Sequence, residues 1–287
     1  MDYKDVIKYC NNNKINIGQY ALQIEVKRGD FTAEQITDKF IKMLNVMKQS
    51  SSSAADKPLY SVSKISGGNA YKYNQYQQKG GSLLGKLAAN AVTKALSTAE
   101  TNAAMGKIVA CPTAGSSGIV PAAILACGET FDLKQDLLIE ALMASSLIGK
   151  IIAETASISG AEGGCQAESG SAAAMAAAAI CQLRDGSPEV CFYAAAIAIK
   201  NSLGLVCDPV GGYVEIPCVK RNVGGVINAL AAADMALAGI ISYIPFDETV
   251  TAMSNIGKML PSALKETSGG GLAATKTAAA LSGKIFN

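Results

Sequence analysis

The 287-residue chain contains no histidine and no tryptophan. The missing histidine excludes most, because imidazole is the usual general base near neutral pH and the commonest metal ligand. A Ser-His-Asp triad, a Cys-His pair, a His-ligated zinc or a proximal-His haem cannot be built from this chain alone. Any chemistry must use Lys, Tyr, Cys, carboxylates, a cofactor, or groups from a partner.

Charge is also scarce. Lys and Arg number 25, Asp and Glu 23, together 17% of the residues beside 49% apolar ones, against about 25% charged in ordinary soluble domains. Extensive burial is therefore expected, in one large core or in a subunit interface. A net charge of +2 with no concentrated basic face argues against nucleic acid. The mean hydropathy of +0.24 raises the question of a membrane. The longest uncharged run, residues 108–128 between Lys107 and Glu129, is long enough to span a bilayer but is broken by Pro112, Pro121 and the Gly/Ser cluster 115–118, so no membrane span is expected. The opening MDYKDVIKYC is acidic where a secretory signal is basic, and a cytoplasmic protein is expected. In that reducing compartment eight cysteines are core residues, reactive thiols or metal ligands, and not a disulfide framework.

The pattern predicts an all-α protein. Residues 1–49 read as an N-terminal helical arm. Within it Thr32 and Gln35 form a capping box, Phe31 is placed to staple onto Ile36, and Ile36, Phe40, Met43, Leu44 and Met47 follow at helical spacing. Residues 50–59, rich in serine, read as a short flexible connection. Beyond them residues 60–287 show alanine-rich stretches separated by glycine clusters, with helices predicted over 83–105, 133–153, 166–184, 188–203, 222–242 and 247–265. Only 213–219 has β-branched alternation, and Pro217 demotes it. The expected architecture is a compact bundle whose Gly/Ser-rich loops converge on one site.

Four loops interrupt the helices: Ser66–Asn69, Cys111–Gly118, Ser157–Cys165 and Cys207–Gly212. Thr113, Ser116 and Ser117 precede a helix and offer hydroxyls and free N–H groups suited to a carboxylate or phosphate. The cysteines sort by context. Cys10, Cys127, Cys181 and Cys191 lie in apolar or helical sequence and read as small buried hydrophobes, while Cys111 is ambiguous. Cys165 follows two glycines and precedes a predicted helix, a setting that favours thiolate. Cys207 and Cys218 bracket the loop 208–217. Three loop cysteines without histidine suit an iron–sulfur cluster better than catalytic zinc, but their spacing matches no ferredoxin pattern, and free thiols remain the favoured reading of the residues alone.

Three segments are recognisable: Ser157-Ile-Ser-Gly-Ala-Glu-Gly-Gly-Cys165-Gln-Ala-Glu; Gly204-Leu-Val-Cys207-Asp-Pro-Val-Gly-Gly with Val214-Glu-Ile-Pro-Cys218-Val-Lys-Arg-Asn222; and Ala110-Cys-Pro-Thr-Ala-Gly-Ser-Ser-Gly-Ile-Val-Pro121. They resemble the iron–sulfur-dependent bacterial L-serine dehydratases, specifically their alpha subunit, and the tail Glu266–Thr275 is similar too. The resemblance implies a [4Fe-4S] cluster held by Cys165, Cys207 and Cys218, with a fourth iron free of protein ligands that binds L-serine and polarises its 3-hydroxyl. Elimination of water would then give pyruvate and ammonia. Thr113, Ser116, Ser117, Ser157 and Ser159 are candidates for the substrate carboxylate, with Lys220 and Arg221 as alternatives or as counter-charges to the cluster. The resemblance also implies a separate beta subunit that covers the pocket and contributes any base the reaction needs. Some family members end in a cysteine that plugs the open iron; Asn287 stands there in this chain, so that self-inhibition is not expected.

Other readings remain at this point. Ser268-Gly269-Gly270-Gly271-Leu272 looks like a pyridoxal-phosphate loop, although the alternating strands and helices of such enzymes are missing. A dehydratase or desulfidase acting on threonine or cysteine, and a non-catalytic partner subunit with buried thiols, complete the alternatives.

Overall fold

The computed structural model describes residues 1–285, with the side chains of residues 284 and 285 also left aside; Asn287 and the expectation attached to it lie outside the described residues. The described residues are all-helical. Thirteen α-helices follow in order: α1 (Tyr3–Asn13), α2 (Ile17–Lys27), α3 (Ala33–Ser50), α4 (Asn69–Gln78), α5 (Lys86–Ala103), α6 (Ile119–Thr130), α7 (Gln135–Thr155), the single turn α8 (Gly160–Gly163), α9 (Ser171–Leu183), α10 (Pro188–Lys200), α11 (Cys218–Leu237), α12 (Phe246–Met259) and α13 (Lys276–Ile285). A π-helical turn, Gln166–Gly170, leads into α9. Extended pairing among the described residues is limited to two isolated bridges, Tyr60 with Gly67 and Cys207 with Lys265.

The centre of the bundle is α9, Ser-Ala-Ala-Ala-Met-Ala-Ala-Ala-Ala-Ile-Cys-Gln-Leu, of which every residue except Gln182 is buried. Helices α6, α7, α10 and α11 all pack on it. A helix enclosed on every side cannot be amphipathic, and alanine lets its neighbours approach closely while keeping the best helix propensity. Glycine extends the same logic on the facing helices. A Cβ at Gly149 on α7 would come within 2.8 Å of Met175 Sδ on α9, and one at Gly225 on α11 within 2.4 Å of Ile119 on α6.

The arm packs onto this bundle: α1 lies against α10, α2 against α7, and α3 against α5, α6 and α7. Gly18 on α2 sits where a Cβ would meet the Glu140 carbonyl oxygen of α7 at 2.1 Å, and its N–H donates to Gln182 Oε1 at 3.0 Å. Val6, Cys10, Ile17, Leu44 and Met47 share the main core with α9. The Thr32–Gln35 capping box is formed, with Thr32 accepting from the Gln35 N–H and Gln35 from the Thr32 N–H. Phe31 is exposed, its ring covered by the Lys39 ammonium. The serine-rich connection is packed at its start: Ser97 on α5 donates to the Ser50 carbonyl at 2.8 Å and accepts from the Ala54 N–H at 3.0 Å.

Several boundaries differ from expectation for local reasons. The helix predicted from residue 222 begins at Cys218, because Pro217 fits the N-cap position, where no N–H is needed. The one predicted from 247 to 265 stops at Met259, because Leu260 precedes Pro261 and is extended. Helix α6 was obscured by Pro121, which the first helical turn tolerates, and α4 by its polar sequence Asn-Ala-Tyr-Lys-Tyr-Asn-Gln-Tyr-Gln-Gln. The weak strand 213–219 is turn followed by helix. No helix among the described residues is long and apolar enough to cross a membrane.

A buried carboxylate fixes the start of α4. Glu100 on α5 is 2% exposed and accepts from the Asn69 N–H at 2.6 Å, Asn69 Nδ2 at 2.7 Å and the Ala70 N–H at 3.2 Å. Glu100→Ala leaves these donors unpaired and is expected to lower stability by about 2–3 kcal/mol, with Glu100→Gln losing less. Urea midpoints of the three proteins check this, and an unchanged midpoint for Glu100→Ala would reject the capping role.

Candidate functional site

The three loop cysteines lie near enough to influence one another electrostatically. Cys165 caps the π-helical turn that precedes α9, Cys207 lies on the connection after α10, and Cys218 opens α11. Backbone contacts set two of these segments against each other: the Gln166 N–H donates to the Leu205 carbonyl and the Gly204 N–H to Gln166 Oε1, each at 2.9 Å. Gln166 is fully buried and its Nε2 also donates to the carbonyls of Gly163 and Met253, each at 3.0 Å. The Cys207 N–H donates to the Leu264 carbonyl at 2.9 Å, and the Cys207 carbonyl accepts from the Glu266 N–H at 2.7 Å. The C-terminal segment thus runs alongside Cys207.

All eight cysteines are free thiols, and all but Cys218 are buried. Cys10, Cys127, Cys181 and Cys191 sit in the helical core as expected. Cys165 departs from expectation. Its thiol is raised by burial, an effect only partly offset by the Ser169 hydroxyl 3.1 Å away and by Arg221, so the helix start does not make it a ready thiolate. Burial and the charge of Cys165 push Cys218 up to about 12. Burial, then Cys165, Glu266, Glu168 and Cys218, push Cys207 well above the ordinary thiol range. The three thiols feel one another. Among the described residues, however, no three Cys, Asp or Glu side chains are drawn close enough to ligate a single metal ion.

The Cys111–Gly118 loop forms another wall. Thr113 Oγ1 donates to Glu168 Oε1 and lies 3.0 Å from Ser116 Oγ. Ser116 and Ser117 are buried, and Ser117 Oγ has no hydrogen-bond partner. Asn222 on α11 holds the loop: its Oδ1 accepts from the Gly118 N–H at 2.8 Å and its Nδ2 donates to the Gly115 carbonyl at 2.7 Å. Ser157 and Ser159, both half-buried, lie on the α7–α8 connection, where the Ser159 N–H donates to Ser157 Oγ at 3.1 Å. Ser157 faces a cavity of about 480 Å³ shared with Glu162, Ser254 and Lys258. Gly160, next to Ser159, is where the walls meet, since a Cβ there would lie 2.8 Å from Cys207 Sγ and 3.5 Å from Glu168 Oε2.

Arg221 and Lys220 part company. Arg221 Nη2 pairs with Asp208 Oδ1 at 2.8 Å and Nη1 donates to the Val206 carbonyl at 2.8 Å, while its charge lowers Cys165, Cys218 and Glu168. Lys220 is exposed, beside a separate cavity of about 660 Å³ behind Ser169 and Arg221. Asp208 Oδ2 accepts from the Leu272 N–H at 2.7 Å. The Ser268–Leu272 glycine loop therefore already carries an anion, the Asp208 carboxylate, where a cofactor phosphate would sit.

Sequence reasoning missed Glu168 and Asp208 as site residues. Both adjoin cysteines already singled out, Glu168 one helical turn after Cys165 and Asp208 immediately after Cys207, but carboxylates near cysteines carry no signal until the loops are folded together. Glu215, 6% exposed, was missed too; it accepts from Ser63 Oγ at 2.7 Å and Ser66 Oγ at 2.6 Å, tying the Ser66–Asn69 loop to the segment before Cys218.

A family profile described as Serine dehydratase alpha chain matches residues 12–273. The chain is 47% identical over 286 residues to a probable L-serine dehydratase alpha chain of Bacillus subtilis, covering 99% of this chain and 94% of that protein. It is 44% identical over 274 residues to the L-serine dehydratase alpha chain of Peptoniphilus asaccharolyticus, covering 96% and 94%. Against L-serine dehydratase 1 of Escherichia coli the identity is 43% over 182 residues, 62% of this chain but only 40% of that longer protein. With similarity running along nearly its whole length, the chain belongs to the serine dehydratase alpha chain family.

Proposed function

We propose that the chain is the catalytic alpha subunit of a cytoplasmic L-serine dehydratase, which converts L-serine to pyruvate and ammonia together with a separate beta subunit. The full-length similarity to alpha chains named for that activity carries the reading. The helical fold and the Asp208 carboxylate on the glycine loop speak against the pyridoxal-phosphate alternative.

Cys165, Cys207 and Cys218 would hold a [4Fe-4S] cluster. Their chemistry fits, because a cluster takes each thiolate on a different iron and its ligands need not converge as they would on one ion. Gly160 leaves a cradle beside Cys207 Sγ that a side chain would fill, and thiols raised by burial and by one another are relieved by a bound cation. When bound, such a cluster supplies a Lewis-acidic iron with an open position.

This chain's own groups would do the rest. The unpartnered Ser117 hydroxyl would be the loop's free donor toward a substrate carboxylate, with Thr113, whose proton goes to Glu168, and Ser116 beside it shaping the loop, and Ser157 and Ser159 would extend that surface. Asn222 keeps the loop in place. Arg221, committed to Asp208, acts as counter-charge to the thiolates and leaves substrate contact to the hydroxyls. The partner subunit would close the pocket against water.

Three outcomes are expected. Anaerobic co-purification with the beta chain gives a brown complex containing iron and sulfide that forms pyruvate from L-serine faster than from D-serine, L-threonine or L-cysteine; full activity from reconstituted alpha chain alone would overturn the partner's role. Cys165→Ser, Cys207→Ser and Cys218→Ser each lose iron and on the order of 10²-fold or more in activity, whereas Cys181→Ser does not, and equal effects at all four would defeat the ligand assignment. Gly160→Ala keeps the fold by circular dichroism but lowers iron content, and wild-type iron loading would remove the cradle argument.

A further inference from the structure

We propose that the outer layer formed by residues 57–107 is the surface on which the beta chain docks, through apolar side chains set among lysines; the inference rests on the dehydratase reading above. Between Asp56 and Glu129 the sequence has seven lysines and a single acid, Glu100, which is buried against the start of α4. Lys94 pairs with Glu129 at 2.7 Å. The other six, Lys57, Lys64, Lys72, Lys79, Lys86 and Lys107, are exposed, and none forms an ion pair with a described residue. They are spread in sequence, and the fold gathers them. Helix α4 and the segment before it lie over α5 as a layer with its own small core, which includes Ala54, Ala70, Leu96 and Val219 and is distinct from the core around α9.

The same layer holds apolar side chains in water. Leu83 is 98% exposed, Met105 82% and Val62 68%, and Tyr60, Tyr76 and Leu84 are exposed as well. Single exposed apolar residues are ordinary, whereas several on one surface mark an interaction site. The Val62 N–H donates to the Ala103 carbonyl at 3.1 Å, which sets Tyr60 and Val62 beside the turn that carries Met105 and Lys107. Leu83, Leu84 and Lys86 stand at the opposite end of α5, so the surface runs the length of that 18-residue helix, roughly 27 Å. Such a footprint suits a protein, since a stable interface buries about 800 Å² on each partner.

This surface borders the candidate site. Asn102, in the last turn of α5, donates from Nδ2 to the Ala114 carbonyl of the hydroxyl loop at 3.2 Å. Ser63 and Ser66 hold Glu215, three residues before Cys218, and Val219 belongs to the layer's small core. A chain seated on the layer is thereby adjacent both to the Cys111–Gly118 loop and to the segment that bears Cys218.

Charge decides between occupants. A second copy meeting this face across a twofold axis would set lysine against lysine. Nucleic acid would engage the lysines and leave Leu83, Val62 and Met105 in water. A protein face with apolar side chains ringed by Asp and Glu satisfies both features, and the beta chain is the partner that the reading above places against this end of the molecule.

The test measures binding of purified beta chain to the full alpha chain by calorimetry at low and at physiological salt. The double variant Lys64→Glu/Lys107→Glu is expected to weaken binding by about tenfold or more at low salt and to flatten its salt dependence. Leu83→Asp and Val62→Asp should weaken it about as much at either salt, whereas Lys8→Glu, on the exposed side of α1 in the arm, should bind like wild type. Unchanged circular dichroism and thermal midpoints of the isolated variants separate docking from folding. Wild-type affinity in both the double variant and Leu83→Asp would overturn the proposal, as would an equal loss in Lys8→Glu. Self-association of the wild-type alpha chain that the same variants abolish would overturn it in favour of a second copy, and a labelled oligonucleotide bound by wild type and lost in the double variant would overturn it in favour of nucleic acid. A complex that forms but yields no pyruvate from L-serine would defeat the dehydratase reading and leave the affinity comparison to decide the docking face. A wild-type alpha chain that binds no beta chain would overturn the docking proposal, and pyruvate formation by the alpha chain alone then decides the reading.

Discussion

The end of the molecule that bears the three cysteines depends on one buried carboxylate. Asp208 pairs with Arg221 in the first turn of α11 and accepts the Leu272 N–H of the C-terminal segment, while its neighbour Cys207 bonds through its backbone to Leu264 and Glu266. Three stretches of chain far apart in sequence are held by this knot. A Cβ at Gly271 would come within 2.4 Å of Asp208 Oδ2, so the approach requires the glycine, whose φ of +59° is in the left-handed region. A buried carboxylate and guanidinium gain little net stability from each other but are costly to separate, which suits a joint whose value is position.

That joint also sets the charge of the site. The Arg221 guanidinium pairs with Asp208 and acts on Cys165, Cys218 and Glu168, and each of the three thiols is raised first of all by burial. Protonated thiols are the form such surroundings favour, and bound metal is the means by which proteins keep thiolates in a dry site. Charge scarcity along the chain and charge demand at the site are therefore two sides of one arrangement.

How much of this was legible in the sequence follows from the range of each signal. Helices α5, α7, α9 and α10 were readable because alanine propensity and glycine or proline breaks act within a few residues. The Thr32–Gln35 box was readable for the same reason. Glycine and proline in loops identified the segments that carry Cys165, Cys207 and Thr113. What failed depended on contacts distant in sequence. Arg221 looked like a free cation until Asp208 was seen to hold it, and Glu168 looked like a polar residue in a helical run until the Thr113 loop folded against it. The expected thiolate character of Cys165 came from its helix-start position, and desolvation by the surrounding protein outweighs that local effect.

The absence of imidazole has a consequence for how work is divided between chains. The longer Escherichia coli relative matches this chain over only 40% of its own length. Three thiols and a hydroxyl loop come from this chain, with Glu168 bonded to Thr113 of that loop and near the Gly160 cradle beside Cys207. What the chain lacks is enclosure. Glu168 and the serine hydroxyls of the α7–α8 connection are only half-buried, and a carboxyl raised by burial loses that shift wherever water returns. On the proposed function, a second polypeptide would exclude solvent from this end of the chain's site and supply any imidazole the reaction needs, which this chain does not contain.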